Sequence, residues 1–304
     1  MLAAPLRGAS TSVEQGGTSG ESSVQSARAL ARADWGIAAL VALALLAMGA
    51  WRMVPGVTGV YHDDAIYVIT AKSLAEGQGY HLIDLPGAPR QTKYPILYPL
   101  LLAGVWKLWP EFPQNVVLMQ SVTLLLAAAA VGLACAYLLR FGYVGRAAAL
   151  AIGLISATSP TLTYFSTLTM SEMPFALLAV IALWRLERAL AAPATRTAAV
   201  LTGAVLALPV LCRSIGVAFV AAGLVQLAWR RRLPVHAAAG SSALVAPWLL
   251  WSAPAWGLFA SHPATGYYVD YGGEWSSVAA HHLLGVVLLN LLHLASGARC
   301  CSAR

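Results

Sequence analysis

The chain has 304 residues, of which 59% are hydrophobic and only 10% charged, with a mean hydropathy of +0.70. Soluble domains carry about 25% charged residues, so this balance points to lipid. The net charge of +7 does not indicate nucleic-acid binding: the basic residues are scattered between apolar runs and form no patch interleaved with aromatics.

In chain order, residues 1–34 are rich in Gly, Ser and Thr and poor in apolar residues, which predicts a disordered cytoplasmic tail. Because this polar stretch precedes the first apolar run, no cleaved signal peptide is expected. Trp35 to Val54 then runs without a charge between Asp34 and Arg52, and about 20 apolar residues suffice to cross a bilayer. Similar runs predict spans at 35–54, 114–139, 146–159, 173–191, 197–212, 214–229, 235–256 and 281–297. The expected fold is therefore an all-α, polytopic transmembrane bundle of about eight spans. It has a transmembrane domain at 35–297, a long first outer loop at 55–113 with juxtamembrane helices, and a polar tail at 298–304. No internal repeat is evident.

The segment PILYPLLLAGVWKLW, Pro95 to Trp109, is too short for a ninth span: a helix of that length covers about 22 Å against a core of about 30 Å. With Pro99, Lys107 and two tryptophans it reads as re-entrant or juxtamembrane. Eight spans with the N-terminus inside place Arg140, Arg146, Arg185, Arg188, Arg196 and Arg230-Arg231-Arg232 in the cytoplasm, as the positive-inside rule requires. The same topology sends Asp63, Asp64, Glu76, Asp84, Glu111, Glu172, Asp270 and Glu274 outward, so the outer face is where chemistry is expected.

Asp63-Asp64 opens a short predicted helix that Gly77 and Gly79 end. A carboxylate there can cap the helix and complement its dipole, or act as a general base beside apolar surface. Glu172, in TLTMSEMPF, has the same two readings, with Ser171 as N-cap and Pro174 in the first turn. Lys93 and Arg213 either snorkel or bind a lipid phosphate, as a point charge and as a bidentate fork. Tyr267, Tyr268 and Tyr271 fit an aromatic belt or a surface for stacking on a sugar. His62, His262, His281 and His282 lack zinc-ligand spacing. There is no phosphate-cradling glycine loop, no Ser/His/Asp cue and no CxxC. Cys135 and Cys212 lie in apolar runs as small hydrophobes, while Cys300-Cys301 sits in the terminal tail.

Together these residues resemble the GT-C superfamily of membrane glycosyltransferases, nearest the protein O-mannosyltransferase and aminoarabinose transferase branch. The resemblance covers about residues 35–230. It rests on Asp63-Asp64-Ala65-Ile66-Tyr67, Gly77-Gln78-Gly79, Lys93-Tyr94-Pro95 with Leu97-Tyr98-Pro99, and the unit from Arg140 to Glu172 through Ser159-Pro160. It implies transfer of a sugar from a polyprenyl-phosphate donor to an acceptor hydroxyl on a glycan, lipid or protein at the outer membrane face, with inversion. Asp63 is then the catalytic base. Asp64, Glu172 and Tyr67 position substrate or acceptor, and Lys93 and Arg213 bind the lipid phosphate. No cofactor is firmly implied, though Asp64 and Glu172 could hold Mg²⁺ or Mn²⁺. The expected location is the plasma (inner) membrane. Family members usually have Asp-Glu at positions 63–64, commonly Asp at 172, and further spans, so the polar ending SGARCCSAR predicts a shortened chain. The alternatives are a transporter or channel component, whose ionisable groups would lie nearer the midplane, and a non-catalytic membrane partner.

Overall fold

The computed structural model describes residues 16–253 and Gly285, with side chains from Arg32 onward. Apolar stretches of good helix formers fold into ten helices among the described residues: α1 (Gly16–Arg52), α2 (Asp63–Ala75), α3 (Leu97–Leu108), α4 (Asn115–Arg140), α5 (Arg146–Thr158), α6 (Pro160–Ser166), α7 (Glu172–Ala191), α8 (Arg196–Ala207), α9 (Val217–Trp229) and α10 (Pro234–Ser252). Two short 3-10 turns, Leu208–Leu211 and Ser214–Gly216, join α8 to α9. The only strand-like pairing among these residues is an isolated bridge between His81 and Arg90. The fold is all-α.

Several boundaries have direct local causes. α2 ends where Gly77 takes a left-handed φ of +76°, so that Gly77 N–H bonds Leu74 O and Gln78 N–H bonds Ser73 O. That is the paired closure a C-terminal glycine permits. Pro160 cannot continue α5 and forces Ser159 into an extended conformation (ψ 125°), so α5 and α6 meet at 63°. α1 departs from expectation at its start: it is helical from Gly16, through part of the stretch expected to be disordered. Residues such as Gln25, Ala27, Arg28, Ala29 and Leu30 propagate a helix well once the apolar run beyond them is helical.

Among the described residues, two helices, Arg32–Arg52 of α1 and all of α4, are long and apolar enough to cross a membrane, and the bent pair α5–α6 makes a third if it counts as one span. The described residues thus account for two or three of the eight spans expected. α7 has the length but carries Glu172, Arg185, Glu187 and Arg188, and α8 and α9 are short. Apart from Gly285, the span expected at 281–297 and the tyrosine-rich loop before it lie outside the described residues. α3, at 12 residues, is too short to cross. It packs on α2 through Tyr98, Leu102 and Trp106 against Tyr67, Val68 and Ala71.

Large apolar side chains such as Leu43, Trp51, Ile155, Val225 and Leu250 point outward, whereas the interior combines larger side chains such as Leu45, Tyr67, Leu102 and Leu206 with many alanines and with Gln120, Thr123, Thr202 and Ser241. Small residues let backbones approach, the usual basis of helix packing in lipid. Gly132 of α4 lies against the backbone of Ala38, and Gly49 of α1 against Leu124, so these two helices run antiparallel. In the same way Gly203 of α8 meets Ala237 while Gly240 of α10 meets Val200, and Ser241 Oγ donates to Gly203 O at 2.8 Å across the crossing.

The helices define two ends. At one, Arg146 pairs with Asp34 at 2.8 Å, Arg185 donates to Ala198 O, and Arg232 donates to Leu190 O and Ala192 O. Arg140, Arg188 and Arg196 gather there too, on the matching termini of α4, α7 and α8. The other end carries α2, α3 and the start of α7.

Candidate active site

Three segments converge at that second end. The first is the loop into α2. Fully buried Gln120 fastens it, accepting from Gly56 N–H at 2.9 Å and donating to Val54 O at 3.1 Å. Asp64, also fully buried, accepts the backbone N–H groups of Val60, Tyr61 and Ala65 at 3.0–3.1 Å. Between them His62 sits at φ +61°, a region uncommon for residues other than glycine. This turn separates the two acids: Asp64 faces the loop backbone and Asp63 is left half-buried beside Tyr94.

The second segment, 80–94, is pinned from several sides. Tyr80 OH donates to Tyr94 O at 2.8 Å, and the buried Gln91 side chain accepts Lys93 N–H at 2.8 Å. Trp251 Nε1 donates to Gln91 O at 2.9 Å, and the Arg90 guanidinium lies 4.5 Å from the Trp251 ring centre. These contacts aim Tyr94 so that its hydroxyl donates to Asp63 Oδ1 at 2.6 Å. Lys93 is buried, with its ammonium 5.7 Å from the Tyr94 ring centre, within the range of cation–π attraction.

The third segment joins the start of α7 to the α8–α9 turn. Arg213 Nη1 lies 2.6 Å from Glu172 Oε1 and donates to Ser171 Oγ at 3.0 Å. Ser171 Oγ in turn shares a 2.7 Å hydrogen bond with Tyr67 OH. Arg213 is held in place by a tight reversal in which Gly216 lies against the Pro209 backbone, where a Cβ would come within 2.4 Å. Burial raises the Tyr67 hydroxyl well above the ordinary tyrosine value; Ser171 and Arg213 oppose this, and Asp63 and Glu172 add to it. Tyr67 is therefore a neutral hydroxyl within the field of all three charged groups. Burial disfavours the Arg213 charge, but Glu172, with help from Asp63, more than offsets this and raises its pKa.

The expected site residues thus fall into three states. Asp63, Tyr67, Glu172 and Arg213 are brought together, with Lys93 one residue from Tyr94, the partner of Asp63. Asp64 stands apart from them, fully buried with its carboxylate accepting three backbone N–H groups. Ser171 is a correction, because its hydroxyl makes no helix cap and instead bridges Tyr67 and Arg213. Tyr94, Gln91 and Gln120 were not foreseen as site residues. An aromatic hydroxyl beside the motif lysine was the one signal that could have flagged Tyr94.

The donor set does not suit Mg²⁺ or Mn²⁺. Asp64 is committed to backbone, Glu172 Oε1 is paired with Arg213, and no group of three or more His, Cys, Asp or Glu side chains is gathered among the described residues. A cavity of about 350 Å³ opens beside the start of α2, lined by His62, Ala65, Ile66, Ile69, Leu82 and Asp84 among others. No protein-family model matches this chain, and neither does any curated protein or solved structure.

Proposed function

We propose that the chain is a polytopic membrane glycosyltransferase of GT-C type. It would move a sugar from a polyprenyl-phosphate donor to an acceptor hydroxyl at the outer face of the plasma membrane, in an eight-span topology with the N-terminus cytoplasmic. The observation that carries this reading is the half-buried Asp63, held on Oδ1 by Tyr94, with Lys93 beside it and the Tyr67–Ser171–Arg213–Glu172 chain alongside. Two carboxylates and two cations, drawn from three separate segments, meet at one end of the bundle.

In this mechanism the acceptor hydroxyl gives its proton to Asp63 Oδ2 as its oxygen bonds to the anomeric carbon. The bond from that carbon to the lipid phosphate breaks, and the phosphate leaves with the electron pair. A single displacement of this kind inverts the anomeric centre, through an oxocarbenium-like state. Lys93 stabilises the departing phosphate. Arg213 is less available, since Nη1 already serves Ser171 and Glu172, and it would act through its remaining N–H groups. Tyr67, as a neutral hydroxyl, orients Ser171 and with it the Arg213 fork. No step requires a metal.

The test is sugar release from labelled polyprenyl-phosphate sugars by the purified chain. Asp63→Asn is expected to lower the rate by roughly 10²–10⁴, the range for loss of a general base. Equal rates for both proteins across donors would remove the base assignment. A second reading, ion or solute transport, draws support from Glu172 Oε2, which is buried and has no hydrogen-bond partner among the described residues. Solute flux into liposomes that disappears in Glu172→Gln would favour it.

A further inference from the structure

Arg52 is the last residue of α1 and closes its 21-residue apolar stretch Arg32–Arg52. It lies at the end of the bundle opposite the arginine cluster, so the positive-inside rule does not account for it. It is not a loosely snorkelling side chain either. Arg52 Nη1 donates at 3.0 Å to Oγ1 of Thr163, which is fully buried and donates its own hydroxyl proton to Ser159 O at 2.8 Å. The bend at Ser159-Pro160 thereby fixes where the guanidinium points. No carboxylate pairs with Arg52 among the described residues.

Arg52 lines a cavity of about 590 Å³ together with Tyr61, Pro160, Thr161, Tyr164, Phe165 and Thr167. No carboxylate lines it. Tyr61 lies against Phe165 at 5.7 Å and edge-on to Tyr164 at 6.2 Å between ring centres, forming a continuous aromatic wall. The Thr161 hydroxyl adds a donor to the lining, while the Thr167 hydroxyl donates to Tyr164 O at 2.9 Å. Trp51, the neighbour of Arg52, is 77% exposed, and an exposed tryptophan at the end of an apolar helix is characteristic of headgroup depth. The cavity therefore combines one anchored, uncompensated cation, a hydroxyl donor and an aromatic wall at the level of lipid phosphates.

We propose that this cavity binds the phosphate of an anionic phospholipid. Arg52 grips the phosphate oxygens through the N–H groups not used by Thr163, Thr161 supplies a further hydrogen bond, and the aromatic wall contacts the glycerol and upper acyl segments. A lipid-borne phosphate fits better than a free one, because the wall offers apolar contact that an inorganic ion cannot use. The site is independent of the transferase reading.

The test uses the full chain in detergent with a photoactivatable phosphatidylglycerol whose reactive group sits near the headgroup, and maps labelled peptides by mass spectrometry. Labelling is expected on the segments containing Tyr61 and 160–167. Arg52→Gln is expected to reduce that labelling roughly tenfold or more, the scale of a lost charge-assisted hydrogen bond, while labelling elsewhere is unchanged, which also reports that the chain remains folded. Arg52→Lys, which keeps the charge but loses the fork, should fall between the two. Three results would each overturn the assignment: undiminished labelling of these segments in Arg52→Gln, equal labelling by the phosphatidylcholine analogue, or complete displacement by inorganic phosphate.

Discussion

The Glu172–Arg213 pair invites a double-mutant cycle. Its N–O separation is 2.6 Å and the two side chains are 29% and 32% exposed, so it is neither a surface pair nor a dry one. Exposed pairs contribute about 0.2–1 kcal/mol, and breaking a buried pair costs about 3–5 kcal/mol because one charge is stranded. At this intermediate burial, Glu172→Gln or Arg213→Gln alone should each cost about 2 kcal/mol. The double variant strands no charge, so it should cost less than the sum, leaving a coupling of about 1.5 kcal/mol. Arg213→Gln should be the worse single change, since Ser171 also loses its guanidinium donor. The measurement is denaturant unfolding of the detergent-solubilised chain, followed by far-ultraviolet circular dichroism, for wild type, both singles and the double. If the singles add to within about 0.5 kcal/mol, the additivity expected of independent sites, the two groups are solvated separately and the network linking α2, α7 and the α8–α9 turn does not exist as described.

Gly203→Ala should destabilise the chain by about 1–3 kcal/mol or more, because the added methyl would fall 1.7 Å from Ala237 O. Gly36→Ala, with nothing within 4 Å, should be tolerated in the same unfolding assay. Gln120→Leu should loosen the loop before α2 by leaving Gly56 N–H and Val54 O without their partner, and limited proteolysis should then cut between residues 53 and 62 where wild type resists. Burial raises the hydroxyls of Tyr67 and Tyr80. The folded chain thus holds protons that the unfolded chain releases near pH 10, and the associated stability is complete below that pH and lost as pH rises above it. Tyr67→Phe should leave tyrosinate absorbance unchanged between about pH 9 and 11, and a loss of absorbance in that window would mean the hydroxyl is solvated.

Much of the helical framework is legible because each apolar run ends at a local stop. α4 and α5 fall where 114–139 and 146–159 were expected, and Gly77 ends α2 through its left-handed backbone. The number of membrane spans is less legible, since composition reads α7, α8 and α9 as apolar without weighing their charges and lengths together. The bend at Ser159-Pro160 was visible only as a boundary; that a further helical turn follows it, and that Thr163 there fixes Arg52, depends on packing against α1. In the candidate site, charge topology located the acids but could not divide the labour between Asp63 and Asp64. That division comes from a turn with His62 at positive φ and from three backbone N–H groups that claim one carboxylate. Glu172 and Arg213 are 41 residues apart, and no local pattern links them. Ser171 reads as a helix cap because serine at that position usually is one, yet Tyr67 and Arg213 reach its hydroxyl first.

The glycine crossing of α8 and α10 also acts as a fulcrum. From Gly240 to Trp251 is 11 residues, about 16 Å of helix, interrupted by Pro247. At the far end of this arm Trp251 Nε1 holds Gln91 O at 2.9 Å, and Gln91 positions Lys93 and Tyr94. A rotation of about 5° about the crossing would move the indole by about 1.4 Å over that length, enough to break the bond and release the lysine-bearing segment. Because backbone touches backbone at Gly203 and Gly240, no side chain there can yield to absorb such a rotation. The aim of Tyr94 at Asp63 is thus tied to two hydrogen atoms at the α8–α10 crossing, the side chains of two glycines.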